Sequence, residues 1–365
     1  MRICISGALV ERLTLFPYLT FHIWPIRRLM SVNKAGKNQL DSQLQKLNMP
    51  LGAKSGAYEK HDWGMVLGSA KVQVRFYQPP EPLRRYFTTF YITEIDVGTN
   101  GVITDYLHPE WANLRLFDGA QPESQVLGMR PVSGLSALVA GPTAATVKFT
   151  IGTSRIWGIG LLPLGWSKFV GAPAARFADR VCNPLNEPEL GVFKPLIETL
   201  FADHPDEQGE LARIAAFFEE RATGEDPDEA RILACHLALI DPDAATVADL
   251  AASSGLAPHT LERLCRRHFG FPPSLLLRRQ RFMRSLSQYM LDPSLNWIGA
   301  IDSHYHDQAQ FVRDFHRFMG MCPREYAALP HPVLHGVMHA RMKAAGAPVQ
   351  TMHVPVPVRA PAQFA

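Results

Sequence analysis

The sequence predicts an α+β protein: a β-rich N-terminal domain, barrel or sandwich, followed by an all-α C-terminal domain. Three observations carry this reading. A chain of 365 residues exceeds one ordinary compact domain and suggests two. From about 60 to 180, short alternating runs are cut by glycine and proline. From about 185 the apolar period lengthens to that of a helix. Apolar residues make up 47% and charged residues 19%, enough to bury a sizeable core.

The elements follow in chain order. Residues 1–50 carry seven basic and two acidic side chains with little periodicity, and predict a poorly ordered extension. Residues 51–184 form the β-rich part. Val72-Gln73-Val74-Arg75-Phe76, Asn113-Leu114-Arg115-Leu116 and Val147-Lys148-Phe149-Thr150-Ile151 alternate, and Gly119, Gly141-Pro142, Gly152 and Pro163 punctuate them. Many short strands with turn signals read as a barrel or sandwich. Residues 185–240 read as a helical connector or dimerisation element. Leu211, Ile214, Phe217 and Phe218 mark one amphipathic helix, and Ala230, Leu233, Leu237 and Ile240 mark another that Asp241-Pro242 ends. After Pro330, residues 331–365 turn to Ala, Pro, Val, His and Met and predict a flexible tail.

Charge is informative only by segment. The whole chain is +3, from 37 Lys+Arg and 34 Asp+Glu. Residues 51–240 hold 17 basic and 23 acidic side chains, whereas 262–284 hold seven arginines and one glutamate. A surface that meets a polyanion is therefore expected in the last third.

Residues 246–286 spell a helix-turn-helix. Thr246 with Asp249 resembles a capping box that opens the helix Val247–Ser253. Gly255 supplies a left-handed turn, and Pro258 fits the first turn of the next helix, which stops at Gly270. Leu261, Leu264 and Cys265 form the buried stripe of that helix. His259, Glu262, Arg263, Arg266 and Arg267 fall largely on the other side, which suits insertion in a major groove.

The pattern then recurs. A shift of 50 residues aligns Leu261 with Phe311, Arg263 with Arg313, Cys265 with Phe315, Gly270 with Gly320, and Pro273 with Pro323. Between the modules Pro273 starts a further helix, with Leu275, Phe282, Leu286 and Met290 on its apolar face. Arg278, Arg279, Arg281 and Arg284 are expected to be exposed. That helix would hold the two recognition helices about one DNA turn apart, roughly 34 Å.

Residues 241–327 resemble the DNA-binding domain of the AraC/XylS family of bacterial transcription regulators. The likeness is strongest from Tyr305-His306-Asp307-Gln308-Ala309-Gln310-Phe311-Val312-Arg313-Asp314-Phe315 through Gly320, Pro323 and Tyr326. It covers about a quarter of the chain. It implies base contacts from His259, Glu262 and Arg263 in the first module and from Gln308, Ala309 and Arg313 in the second. Phosphate contacts are expected from Arg266, Arg267, Arg278, Arg279 and Arg317. Two positions depart from the family pattern. His304 stands where the second turn normally has glycine, and Gly299 stands where an aliphatic residue is usual, so that turn should be looser or of another type.

The family also implies that the β-rich part, which looks like the often cupin-like sensing domains of such regulators, binds a small effector, dimerises, or both. RNA polymerase is the implied further partner of an activator. Trp63, Tyr91, Tyr106, Trp111 and Trp157 are candidates for an effector pocket, with ordinary core as the plainer role for each.

Other classes fare worse. Five scattered cysteines without a CxxC pair argue against a disulfide framework or structural zinc. No apolar run is long enough to span a bilayer and no cleavable signal is expected, so the cytoplasm is the expected compartment. Between 51 and 200 there are only His61 and His108, too few for a catalytic metal site, and His304 and His306 fall in the second module. His331, His335 and His339 repeat every four residues, but Pro330, Pro332 and Gly336 argue against a stable helix there. Neither a nucleophile motif nor a cofactor loop stands out, and no catalytic residue, metal or cofactor is expected. The rival reading is a metabolite-binding protein or enzyme whose C-terminal helical modules mediate protein contacts.

Overall fold

A computed structural model describes residues 60–67, 70–292 and 294–356. The expected extension over 1–50 lies outside the described residues, as does the chain beyond 356.

The β-rich part contains β1 (Lys60–Leu67), β2 (Ala70–Tyr77), β3 (Phe87–Asp96), β4 (Ile103–Leu107), β5 (Ala112–Gly119), β6 (Glu123–Val126), β7 (Ala137–Ala140), β8 (Val147–Ile151), β9 (Ser154–Leu161) and β10 (Val181–Cys182). They form two sheets, a seven-stranded one ordered β1-β2-β3-β9-β5-β7-β10 and a three-stranded one ordered β4-β8-β6. All of these pairings are antiparallel.

Side chains on a strand alternate between faces, so central strands of the larger sheet serve two cores. On one face Val72, Val74, Phe76, Ile95, Phe117 and Ile156 pack toward Ile103, Phe149 and Ile151 of the smaller sheet. On the other face Phe87, Phe90, Leu114, Leu116, Trp157 and Ile159 pack under helices. This double coverage is why β9 is buried along its whole length.

The second face is covered by α1 (Pro163–Phe169), α2 (Lys194–Thr199), α3 (Glu207–Glu219) and α4 (Glu229–Ile240). Phe218 of α3 meets Phe87 at a tilt, 4.6 Å between ring centres, and Phe169 edge-on at 5.0 Å. Trp157 donates its indole N–H to Glu210 at 2.6 Å, and Arg155 pairs with the same carboxylate. The connector is thus part of the β domain's core.

The helical part continues with α5 (Val247–Ser254), α6 (Pro258–Leu264), a wider π turn over Cys265–Phe269, α7 (Pro273–Leu291), α8 (Trp297–Ala300), α9 (Gln308–Met319), α10 (Pro323–Ala327) and α11 (Leu334–Ala345). The expected capping box at Thr246 and Asp249 is present, and Gly255 and Gly270 are left-handed, at φ 66° and 85°.

The expected flexible tail is corrected over 331–356. Leu334–Ala345 is a helix lying on β1, β2 and α7. Its first free N–H groups are bonded by Asp105 of β4, to Val333 N and Leu334 N, each at 2.8 Å. A cap supplied from 228 residues away outweighs the local helix-breaking signals of Pro330, Pro332 and Gly336. His331 is drawn off to Asp105 and to the Tyr326 carbonyl, leaving only His335 and His339 side by side.

Candidate nucleic-acid interface

The two recognition helices, α6 with its π turn and α9, are built alike. Each buries one apolar stripe: Leu261, Leu264 and Cys265 in the first, and Phe311, Phe315 and Phe318 in the second. Each ends on a left-handed glycine. The central helix α7 supplies the shared wall, with Phe282 5.4 Å from Phe315 and 5.0 Å from Phe318.

Most expected base readers stand in the open. His259 and Arg263 are exposed on α6, and Gln308, Ala309 and Arg313 are exposed on α9. Glu262 is half-buried and accepts from Arg266 at 2.7 Å, so these two side chains restrain one another. Arg267 and Arg317 are exposed, as a phosphate contact requires.

All four arginines of α7 that were expected to be exposed depart from expectation: Arg281, with its side chain 18% exposed, donates to the His304 carbonyl at 3.3 Å and lies 4.5 Å above the Tyr305 ring. Arg279 is fully buried, not exposed. It runs into the β domain, donates to the carbonyls of Thr143 at 2.8 Å and Glu110 at 3.3 Å, and lies 4.1 Å above the Trp111 ring. It cannot reach a phosphate in this arrangement. Arg278 is partly exposed but pairs with the buried carboxylate of Asp314, which also accepts from the Tyr305 hydroxyl at 3.0 Å. Arg284 is largely covered and pairs with Asp302. Burial alone would push the Asp302 carboxyl up, but the hydrogen bond and charge of Arg284 hold it below its ordinary value. An aspartate set into an apolar stripe between Phe311 and Phe315 is a sequence signal that Arg278 is engaged.

The second turn is of another type, as its sequence suggests. His304 is outside the left-handed region; Asp302 accepts from the His304 N–H at 2.9 Å and contacts its ring at 3.0 Å. Gly299 is exposed in the short α8, where Asn296 caps its N–H at 3.0 Å.

The C-terminal ends of both recognition helices dock on the β domain. Trp111 meets Phe269 edge-on at 5.6 Å, and a Cβ at Gly270 would sit 3.1 Å from Pro142. In the second module Thr146 N donates to the Phe318 carbonyl at 2.7 Å, and Leu127 packs against Gly320. Sequence reasoning missed this junction, because carbonyl acceptors and close approaches leave no residue-type signature.

A partly open pocket of about 120 Å³ lies between the two sheets of the β domain and α11. Of the five aromatic candidates, Tyr91 lines it. Trp111 and Trp157 belong to the core on the opposite face of the larger sheet. Tyr106 is half-buried on β4 and away from the lining, and the Trp63 side chain lies outside the described residues.

Residues 250–328 match the family model of a helix-turn-helix domain. No curated protein matches the chain. Among solved structures, an apo variant of ToxT from Vibrio cholerae is 12% identical, covering 65% of this chain and 96% of that one at a TM-score of 0.35. The AraC-like transcriptional activator CuxR is 11% identical, covering 59% and 81% at a TM-score of 0.28. The matched domain defines the class: a DNA-binding transcription regulator with a helix-turn-helix domain. A helix-turn-helix domain implies DNA as a partner. Among the described residues no helix is long and apolar enough to cross a membrane.

Proposed function

We propose that the protein is an effector-responsive, sequence-specific regulator that reads two successive major-groove segments. The observation that supports this most is the division of each recognition helix. The N-terminal halves present His259, Arg263, Gln308, Ala309 and Arg313 to solvent, while the C-terminal ends rest on the β domain. A change in the β domain's packing would thereby alter the relative placement of both readers. Base discrimination falls to His259, Glu262, Arg263, Gln308, Ala309 and Arg313. Charge neutralisation falls to Arg266, Arg267 and Arg317, with Arg278 contributing only if it leaves Asp314.

The β-domain pocket is the effector site in this reading, with Tyr91 from the aromatic set on its wall. If the outcome is activation, RNA polymerase is the further partner. A second copy of the chain would let the protein occupy paired half-sites. The test selects bound duplexes from a random pool with the full chain, then measures anisotropy on the selected site across a salt series. Two conserved blocks about one helical turn apart, with affinity falling steeply with salt, are expected. Binding that is insensitive to salt, or the absence of any selected block, overturns the reading.

A further inference from the structure

A polar cleft separates the connector helix α4 from the first recognition helix. Arg231 of α4 lines one side, and Thr260, Arg263, Arg266 and Arg267 of α6 and its π turn line the other. The turn after α1 contributes Pro173 and Ala175. Against four arginines, Asp228 is the one acidic side chain in the lining.

Arg231 differs in origin from the arginines that face it. It lies outside the matched domain of residues 250–328, on a part of the chain whose acidic side chains outnumber the basic ones, 23 to 17 over 51–240. Its side chain is 55% exposed and pairs with Asp228, three residues back, at 3.0 Å. So exposed a pair contributes little, and an incoming anion displaces it at small cost. Glu262 holds Arg266 in the same loose way, whereas among the described residues Arg263 and Arg267 have no ion-pair partner. Two acids beside Asp228 are turned elsewhere. Glu229 pairs with Arg85 at 2.7 Å, and Asp226 accepts from the Ser167 hydroxyl at 2.5 Å.

Four guanidinium groups around one cleft repel each other and concentrate positive potential between them. We propose that a phosphate of the DNA backbone seats in this cleft and that Arg231 binds it, so that the DNA interface continues from the helix-turn-helix onto the β domain. The inference rests on the regulator reading above and deepens it. DNA fits the cleft better than a free phosphate compound because three of the four arginines belong to the recognition helix itself. Whatever fills the cleft therefore lies along the face that presents Arg263 to a base pair. The helix α4 is fixed in the core of the β domain through Ile232, Cys235 and Leu239. A phosphate gripped from both sides then ties the β domain to the placement of the first reader.

The test uses the full chain on the selected duplex and on random duplex, with anisotropy across a salt series. R231A should lower the slope of log affinity against log salt by about 0.9, the share of one phosphate, on both duplexes alike. Between about 50 and about 200 mM salt that difference amounts to about threefold in affinity. R231K should keep the slope, because lysine retains the charge. R84A removes another exposed arginine of the β domain, one outside the cleft, and should leave the slope unchanged. An unchanged slope in R231A overturns the proposal, as does an equal fall in R84A or a loss confined to the selected duplex. Calorimetry with inorganic tripolyphosphate supplies the rival outcome. Binding that R231A abolishes, with the duplex slope unchanged, assigns the cleft to a small phosphate compound and overturns the proposal too. Salt-sensitive DNA binding that R231A leaves unaltered rejects this inference alone, whereas no salt-sensitive binding by the unaltered chain rejects the regulator reading as well.

Discussion

Arg279 and Arg317 carry the same side chain within one arginine-rich region, yet they meet different surroundings. Arg317 stands in solvent, so Arg317→Ala should reduce the slope of log affinity against log salt by about 0.9, the share of one phosphate. Arg279 is buried against two carbonyls and the Trp111 ring. Arg279→Met should leave the salt slope unchanged and cost about 2–4 kcal/mol of stability, read by urea unfolding, because both acceptors lose their donor. Equal slopes in the two variants would contradict the assignment of either residue. Arg263 is exposed on the first recognition helix, and Arg263→Ala should cost about 1–3 kcal/mol on the selected site and relax preference at one base pair. Weakening that is uniform over all duplexes would make Arg263 a phosphate contact instead.

The elements of the DNA-binding part form largely from local rules. Thr246 accepts from Asp249 N at 3.1 Å while Asp249 accepts from Thr246 N at 2.9 Å, which is the reciprocal cap that opens α5. Thr246→Ala should cost about 1 kcal/mol, with an unchanged urea m-value. A loss below a few tenths would show that packing of Leu250, rather than the cap, holds the helix start. These helices were legible because capping residues, left-handed glycines and apolar stripes act within one or two turns. That Arg278, Arg279, Arg281 and Arg284 are covered or paired was not legible. A helix face that looks solvated in sequence is buried here by carboxylates and carbonyls from other elements. The helix α11 was hidden for the same reason, since its cap is Asp105 of a strand in another domain.

At the scale of the molecule, two buried histidines sit at the junction of the parts. His108 contacts the Tyr326 hydroxyl through Nε2 at 2.6 Å, and burial, with the His331 charge beside it, holds its pKa at about 3. His236 packs edge-on against Trp111 at 5.4 Å, and burial followed by the charge of Arg279 holds it at about 3 as well. Both are neutral when folded but titrate near 6.5 when unfolded. Below about pH 6.5 the unfolded chain therefore takes up protons that the folded chain refuses, so stability is full above that pH and falls toward pH 3. Each histidine contributes a slope of up to about 1.4 kcal/mol per pH unit. Thermal melting between about pH 7.5 and about pH 5 should show a falling Tm, and His236→Gln should flatten part of the fall. A Tm that does not change over this range would contradict the buried, neutral state of both rings.

The residue order alone determined that a β-rich part precedes two helix-turn-helix modules, and it placed His259, Arg263, Gln308 and Arg313 on the exposed faces of their helices. Those features depend on period, caps and turns, whose physics reaches only a few residues along the chain. Tertiary structure alone decided the rest: that Arg279 is an anchor, and that the chain after Pro330 forms a wall of the β-domain pocket. Each of these is set by partners more than a hundred residues away. Burial and ion pairing are decided by distance in space, which no spacing along the chain encodes.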